Sequence, residues 1–217
     1  MAIEGLANLV SLAQMGALEI HVWGSKFPQI DLADQMVFDL DPDTDLPWQK
    51  VVVAAQKIYA RLKILGLKSF LKTTGGKGLH IVVPLLPEYK SDVVKDISKL
   101  ISEDISAQYP GLFTTSPLKE KRAGKVFIDY LRNGYAATTV ASFSPRARPG
   151  AYLAWPIAWE DIKNSLQPGT FSLVSYETHF RKFLSRDPWK EFESSRQSLA
   201  AFADVAKQVS PRKKRQA

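Results

Sequence analysis

Cysteine is absent from this chain, so neither a disulfide framework nor a thiolate zinc site can form. Only three histidines are present, which leaves little room for a histidine-rich metal site. No run of about 18 apolar residues occurs, and the N-terminal stretch contains Glu4 and lacks a basic n-region. These absences indicate a protein without a membrane partner or a secretory leader, and they favour a cytoplasmic location.

Acidic residues are too few to balance the basic ones, and the net charge is +7. Residues 119–148 hold seven basic residues against Glu120 and Asp129, and residues 210–217 hold four basic residues and no acid. Concentrated positive charge favours a polyanionic partner, because Lys and Arg release counterions from phosphates. A solvated surface is the alternative. We favour it for the tail, residues 209–217, which we expect to be disordered, and we favour function for the inner segment.

The length of 217 residues and the hydrophobic content of 45% are typical of one folded catalytic body, placed at residues 1–208. The order of elements predicts an α+β fold with a mixed or antiparallel sheet and helices mainly on one face. Hydrophobic periodicity predicts helices over 4–15, 45–66 and 92–107, strands over 35–41, 69–74, 79–85, 125–131 and 137–144, and further helices around 160–165, 175–185 and 188–207.

The stretch FDLDPD, residues 38–43, places Asp39 and Asp41 two apart on a strand, so both project from one face. Two convergent carboxylates suit Mg²⁺ or Mn²⁺. A hydrated Asp-Pro-Asp turn is the alternative, and a metal-dependent glycosyltransferase also uses such a pair. An EF-hand loop is excluded, because Thr44 stands where its Gly belongs and Lys50 where its Glu belongs.

A third carboxylate, Asp129, lies in the apolar stretch KVFIDYLRNG, on the face of Phe127 and Leu131 if the strand alternation continues. A buried carboxylate needs a cation, a hydrogen-bond network or solvent. A neighbouring Lys or Arg could satisfy it. Three carboxylates on adjacent strands are also the usual means of holding two ions for phosphoryl transfer.

Opposite these acids we expect a phosphate-binding turn, KTTGGKGLH over 72–80. Its glycines let backbone N–H groups approach phosphate oxygens, and Lys77 and His80 add charge or donors. A strand follows the turn, which excludes P-loop geometry. A hairpin turn with a core histidine is the alternative. Arg132, Arg146 and Arg148 could bind phosphates bidentately, or they could be surface arginines.

Taken together, these segments resemble the polymerase domain of bacterial DNA ligase D, within the archaeo-eukaryotic primase superfamily. The resemblance covers most of residues 5–195 and includes DPWKEF near 187. It rests on EIHVWGS (19–25), VFDLDPD (37–43), KTTGGKGLHIVVPL (72–85), VFIDYLRN (126–133) and VASFSPRARPGAYLAWPIAWEDI (140–162), in matching order and spacing.

The resemblance implies a primase-polymerase fold with an RRM-like catalytic core. It implies that Asp39, Asp41 and Asp129 bind two Mn²⁺ or Mg²⁺ ions and that nucleoside triphosphates are the substrates. The family usually has Ser at Thr74, and the hydroxyl is retained. The remaining residues implied to contact the nucleotide or line the site are His21, Thr74, Lys77, His80, Arg132 and Arg146.

The resemblance also implies function: addition of nucleotides, preferentially ribonucleotides, to a primer 3′-OH during non-homologous end joining. DNA ends or primer-templates, Ku and ligase components would be the partners, at the bacterial nucleoid. By the same resemblance, family members carry a DNA-binding segment before the EIHVW region, and we expect these 217 residues to lack it. The alternatives are a catalytically incompetent core that binds DNA or a repair partner, and a primase that needs no primer.

Overall fold

A computed structural model describes residues 1–162 and 166–209 of the chain. The tail that the sequence predicts to be disordered lies outside the described residues from 210 onward. The helices are α1 (Leu6–Gln14), α2 (Trp48–Ile64), α3 (Ser91–Gln108), α4 (Tyr176–Ser185) and α5 (Ala200–Val209). The strands are β1 (His21–Trp23), β2 (Gln35–Pro42), β3 (Phe70–Thr73), β4 (Leu79–Pro84), β5 (Phe113–Thr114), β6 (Val126–Asp129), β7 (Thr138–Val140) and β8 (Pro156–Ile157).

Six strands form the main sheet in the order β5-β6-β2-β4-β3-β8. Strands β5 and β6 run parallel, whereas every other neighbouring pair runs antiparallel. The sheet is therefore mixed, and the predicted α+β class is confirmed. Strands β1 and β7 form a separate antiparallel ribbon of two strands.

Alternation along β2 separates the core from the site. Met36, Phe38 and Leu40 are fully buried and lie on the face that β4 also lines with apolar residues. Helices α2 and α3 both contact β2, and their buried residues recur at helical spacing. The odd positions of β2, including Asp39 and Asp41, lie on the opposite face.

Two predicted strands are shorter than expected. Strand β6 ends at Asp129, whose carboxylate accepts the N–H of Leu131 at 3.0 Å and caps a 3-10 helix over Tyr130–Asn133. Leu131 is therefore exposed and does not continue the strand alternation. The strand predicted over 137–144 is limited to β7, because Phe143 adopts a positive φ of 67° and turns the chain.

The helix predicted over 188–207 is wrong before Ala200. Trp189 donates its indole N–H to the Leu71 carbonyl at 2.9 Å, and the backbone of Gln197 pairs with Pro84 and Leu86 at the end of β4. These long-range contacts override the local helical pattern. Around 160–165 the structure has a 3-10 helix over Trp159–Asp161, and residues 163–165 lie outside the described part. In the described ranges no helix is long and apolar enough to cross a membrane.

Candidate active site

A row of charged residues crosses the open face of the main sheet. Asp39 on β2 is the register partner of Asp129 on β6 and of His80 on β4, and Lys72 on β3 is in turn the partner of His80. Residues in direct register on neighbouring strands project from the same face. The predicted convergence of Asp39 with Asp129 is therefore present, on adjacent strands and not across the width of the sheet.

Arg132 neutralises the pair of carboxylates. Its Nε lies 3.1 Å from Oδ2 of Asp129 and 3.4 Å from Oδ2 of Asp39. Burial opposes the ionisation of Asp39, but His80, whose Nε2 lies 3.3 Å from Oδ1, and Arg132 hold the pKa of Asp39 below its usual value. Burial raises the pKa of Asp129, and the charge of Asp39 raises it further. Arg132 offsets part of this repulsion between the neighbouring carboxylates, and a bound divalent cation would offset more of it.

Asp41 lies on the same face but is held by a different arginine. Its Oδ2 accepts a hydrogen bond of 2.7 Å from Nη1 of Arg122, whose guanidinium also stacks on Phe127. Across residues 1–162 and 166–209, no three Asp, Glu or His side chains are arranged to hold one metal ion. Asp41 is paired with Arg122, whereas Asp39 and Asp129 share Arg132.

The donor set nevertheless fits hard divalent cations in kind, because carboxylate oxygens are the ligands that they prefer. Three carboxylates project from one sheet face, and two guanidinium groups contact the oxygens that a cation would take. Asp43 has another role, because it accepts N–H groups from Gly124 at 2.7 Å and Thr44 at 2.9 Å. It is a turn residue, which agrees with the exclusion of an EF-hand loop.

The glycine turn between β3 and β4 lies beside this row of Asp129, Asp39, His80 and Lys72, which we call the acidic row. Thr74 Oγ1 donates to the Gly78 carbonyl at 3.1 Å and accepts the Gly76 N–H at 3.2 Å, so this hydroxyl shapes the turn. A Cβ at Gly78 would lie 2.3 Å from the Leu40 carbonyl oxygen, which explains the need for glycine there. Lys77 reaches across to the Thr44 carbonyl at 3.1 Å.

Glu19 is a site residue that the sequence analysis missed. Its carboxylate accepts hydrogen bonds from His21 Nε2 at 2.7 Å, Arg146 Nε at 2.8 Å and the Ala147 N–H at 2.8 Å. Burial opposes its ionisation, but these three donors lower the pKa of Glu19 to about 2. The spacing Glu-x-His on an extended chain is the signal that could have identified it, because residues two apart share a face. Arg146 also donates to the Thr74 carbonyl at 2.9 Å.

One cleft of about 480 Å³, large enough for a nucleotide, lies between the carboxylates and the glycine turn, and Glu19 supports it from outside the lining through His21 and Arg146. All nine predicted site residues lie in it, although His80 is almost fully buried. Its basic and acidic lining residues are His21, Asp39, Asp41, Lys77, His80, Asp129, Arg132, Arg146 and Arg148.

A family model described as "LigD, primase-polymerase domain" matches residues 1–189. The chain belongs to this family. The sequence resemblance and the expected polymerase-domain fold are thereby confirmed. The polymerase domain of Mycobacterium tuberculosis ligase D, solved in complex with DNA, superimposes with a TM-score of 0.78 at 29% identity, over 90% of this chain and 70% of that one.

Two curated LigD proteins that match this chain are several times longer than it. The multifunctional non-homologous end joining protein LigD of Pseudomonas aeruginosa is 36% identical over 201 residues, which cover 93% of this chain and 24% of that protein. The bifunctional non-homologous end joining protein LigD of Bacillus subtilis is 30% identical over 180 residues, or 82% of this chain and 29% of that protein. The chain thus spans about a quarter of the length of these relatives.

Proposed function

We propose that this LigD-family chain is a nucleotidyltransferase that adds nucleoside monophosphates, preferentially ribonucleotides, to the 3′-hydroxyl of a DNA primer in bacterial non-homologous end joining. The observation that carries the proposal is the row of Asp129, Asp39 and His80 facing the glycine turn across one cleft. The names of the LigD relatives and the DNA complex of the structural neighbour support DNA ends as the substrate. Ku and ligase components are the proposed protein partners.

Asp39, Asp41 and Asp129 would hold the divalent ions, either Mn²⁺ or Mg²⁺. When bound, two such ions activate the attacking oxygen and neutralise the pyrophosphate leaving group. Arg122 would have to release Asp41 before that carboxylate could act as a ligand, because the two are hydrogen-bonded in this structure. The proposed metal site therefore depends on a side-chain rearrangement.

The chain's own residues would bind and orient the triphosphate. Lys77 lies at the rim of the cleft, and the glycines of the turn carry no side chains of their own that would block an approaching phosphate. Arg146 is held rigidly between Glu19 and Thr74, which keeps its guanidinium at a fixed place in the cleft. Catalysis of this kind depends mainly on positioning and charge neutralisation.

Primer extension with manganese and ribonucleotides tests the proposal. We expect the parent chain to extend a DNA primer on a template and Asp41→Ala to lose extension while keeping the parental circular dichroism spectrum. Asp31→Ala is the matched control, because Asp31 is exposed and lies outside the cleft. Equal extension by the parent and Asp41→Ala would show that the assignment of Asp41 is wrong.

A second candidate is a catalytically incompetent core that binds DNA or a repair partner. The pairing of Asp41 with Arg122 favours it, because no three-ligand metal cluster is formed within the described residues. Such a module would bind DNA through the basic residues at 119–122 and lose affinity steeply with salt. Salt-sensitive DNA binding by the parent without any extension would support this candidate over the enzyme.

A further inference from the structure

Lys72 is a buried charge that the proposed reaction does not use. It lies on β3 at the end of the acidic row, is 5% exposed and is not among the residues that line the cleft. Burial lowers the pKa of Lys72 to about 8, while the nearby charge of Asp39 opposes that effect. The side chain therefore remains mainly an ammonium ion at neutral pH. A methionine of similar volume would fill the same space without a cost of desolvation.

The ammonium of Lys72 connects the main sheet to the β1–β7 ribbon. Its Nζ donates to the Val140 carbonyl oxygen at 2.5 Å, and Val140 is the register partner of His21. His21 is tied through Glu19 to Arg146, which reaches the glycine turn. Lys72 at β7 and Glu19 ahead of β1 are thus two of the attachments that hold the ribbon.

We infer that Lys72 is a positioning residue that fixes the β1–β7 ribbon above the acidic row. It thereby sets where His21 and Thr139, both in the cleft lining, stand relative to a bound nucleoside triphosphate. This inference rests on the proposed function for its substrate. It assigns to Lys72 no contact with the nucleotide, since Lys72 is not among the residues that line the cleft.

The test is Lys72→Met, which removes the charge and the donor and keeps the volume. We expect the KM for the ribonucleotide in primer extension to rise about 10-fold or more, with a smaller change in kcat, because a displaced ribbon weakens nucleotide positioning. Loss of stability alone would lower the active fraction and hence kcat, while leaving KM unchanged. Hydrogen exchange, measured by mass spectrometry, should be faster in Lys72→Met than in the parent, and this acceleration should be greater in β1 and β7 than in the main sheet.

Trp189→Phe is the matched control. It also removes one side-chain donor to a backbone carbonyl of the sheet, that of Leu71, but on a residue outside the cleft. We expect parental KM and parental exchange in the ribbon for this control. Should Lys72→Met fail to fold, Lys72→Leu provides the same comparison with a shorter side chain that has neither charge nor donor.

The outcomes separate this inference from the proposed function. A parent chain that extends no primer contradicts the proposed function, and ribbon exchange in Lys72→Met then still decides whether Lys72 positions the ribbon. A Lys72 variant with the parental KM and parental exchange in β1 and β7 overturns the inference while leaving the polymerase proposal intact.

Discussion

Asp39 and Asp129 are direct cross-strand partners on β2 and β6, and one guanidinium group, that of Arg132, contacts a carboxylate oxygen of each. Two carboxylates so placed repel each other, and burial strengthens the repulsion. The fold tolerates the pair because of Arg132 and His80. Neighbouring buried carboxylates with shifted pKa values are typical of a functional site.

Asp129→Asn should separate function from stability at this pair. We expect primer extension to fall at least about 100-fold, as for loss of a metal ligand or transition-state contact. The melting temperature should stay equal or rise, because the variant removes one of two facing like charges. Thermal denaturation and extension assays measure both quantities. Asp31→Asn is the control, and Asp129→Asn with extension within threefold of the parent would contradict the role of Asp129.

Arg122→Ala should strengthen binding of Mn²⁺. The Arg122 guanidinium competes for an oxygen of Asp41, and an ion pair with one well-exposed partner contributes about 0.2–1 kcal/mol. Removal of this competitor should therefore tighten Mn²⁺ binding by no more than about fivefold, measured by titration calorimetry. Lys119→Ala, in the same 3-10 helix, is the control. Unchanged affinity in Arg122→Ala would show that the ion pair does not limit access to Asp41.

The sequence predicted the parts of the fold that depend on local periodicity. Alternation in β2 correctly separated Phe38 and Leu40 from Asp39 and Asp41, and Asp129 lies in register with Asp39 on the neighbouring strand. Asp129 ends its strand, however, because its own side chain caps the next turn. An Asp at this position can either continue the strand or cap the following turn with its carboxylate, and hydrophobic periodicity alone does not distinguish the two.

Side-chain pairing across the fold could not be predicted in the same way. The partners of Asp41, Lys72 and Glu19 are Arg122, Val140 and Arg146, all far away in the chain. Such pairs depend on tertiary placement and not on spacing in the sequence. The C-terminal segment shows the same limit, because the Trp189 indole and the backbone of Gln197 bind the sheet where a helix was expected.

Glu19→Gln should show a characteristic dependence on pH. Glu19 has a pKa lowered from 4.5 to about 2, so its ionised form stabilises the fold fully above about pH 4.5, and this contribution is lost as the pH falls toward 2. At pH 7 we expect the variant to unfold about 1–2 kcal/mol more easily, since a charged acceptor of three hydrogen bonds is lost and the carboxylate is partly solvated.

Urea denaturation at several pH values measures this effect. The difference in free energy of unfolding between the parent and Glu19→Gln should be constant from pH 7 to about 5.5 and should shrink below about 4.5. Glu120→Gln, at an exposed position, is the control and should show no such change. A difference that stays constant down to pH 3 would contradict the role of the ionised Glu19 in holding His21 and Arg146.

Gly78→Ala should damage the turn that faces the acidic row. The added methyl would lie 2.3 Å from the Leu40 carbonyl oxygen, which is backbone and can move only by shifting β2 against β4. We expect a loss of about 1–3 kcal/mol in the free energy of unfolding and weaker nucleotide binding, because the Thr74 hydroxyl loses its hydrogen-bond geometry at the Gly78 carbonyl.

Gly111→Ala is the matched control, since no atom lies within 4 Å of its added methyl. Its stability should stay within about 0.5 kcal/mol of the parent. Equal stability and nucleotide affinity in both glycine variants would show that the backbone contact between the turn and β2 does not support the site.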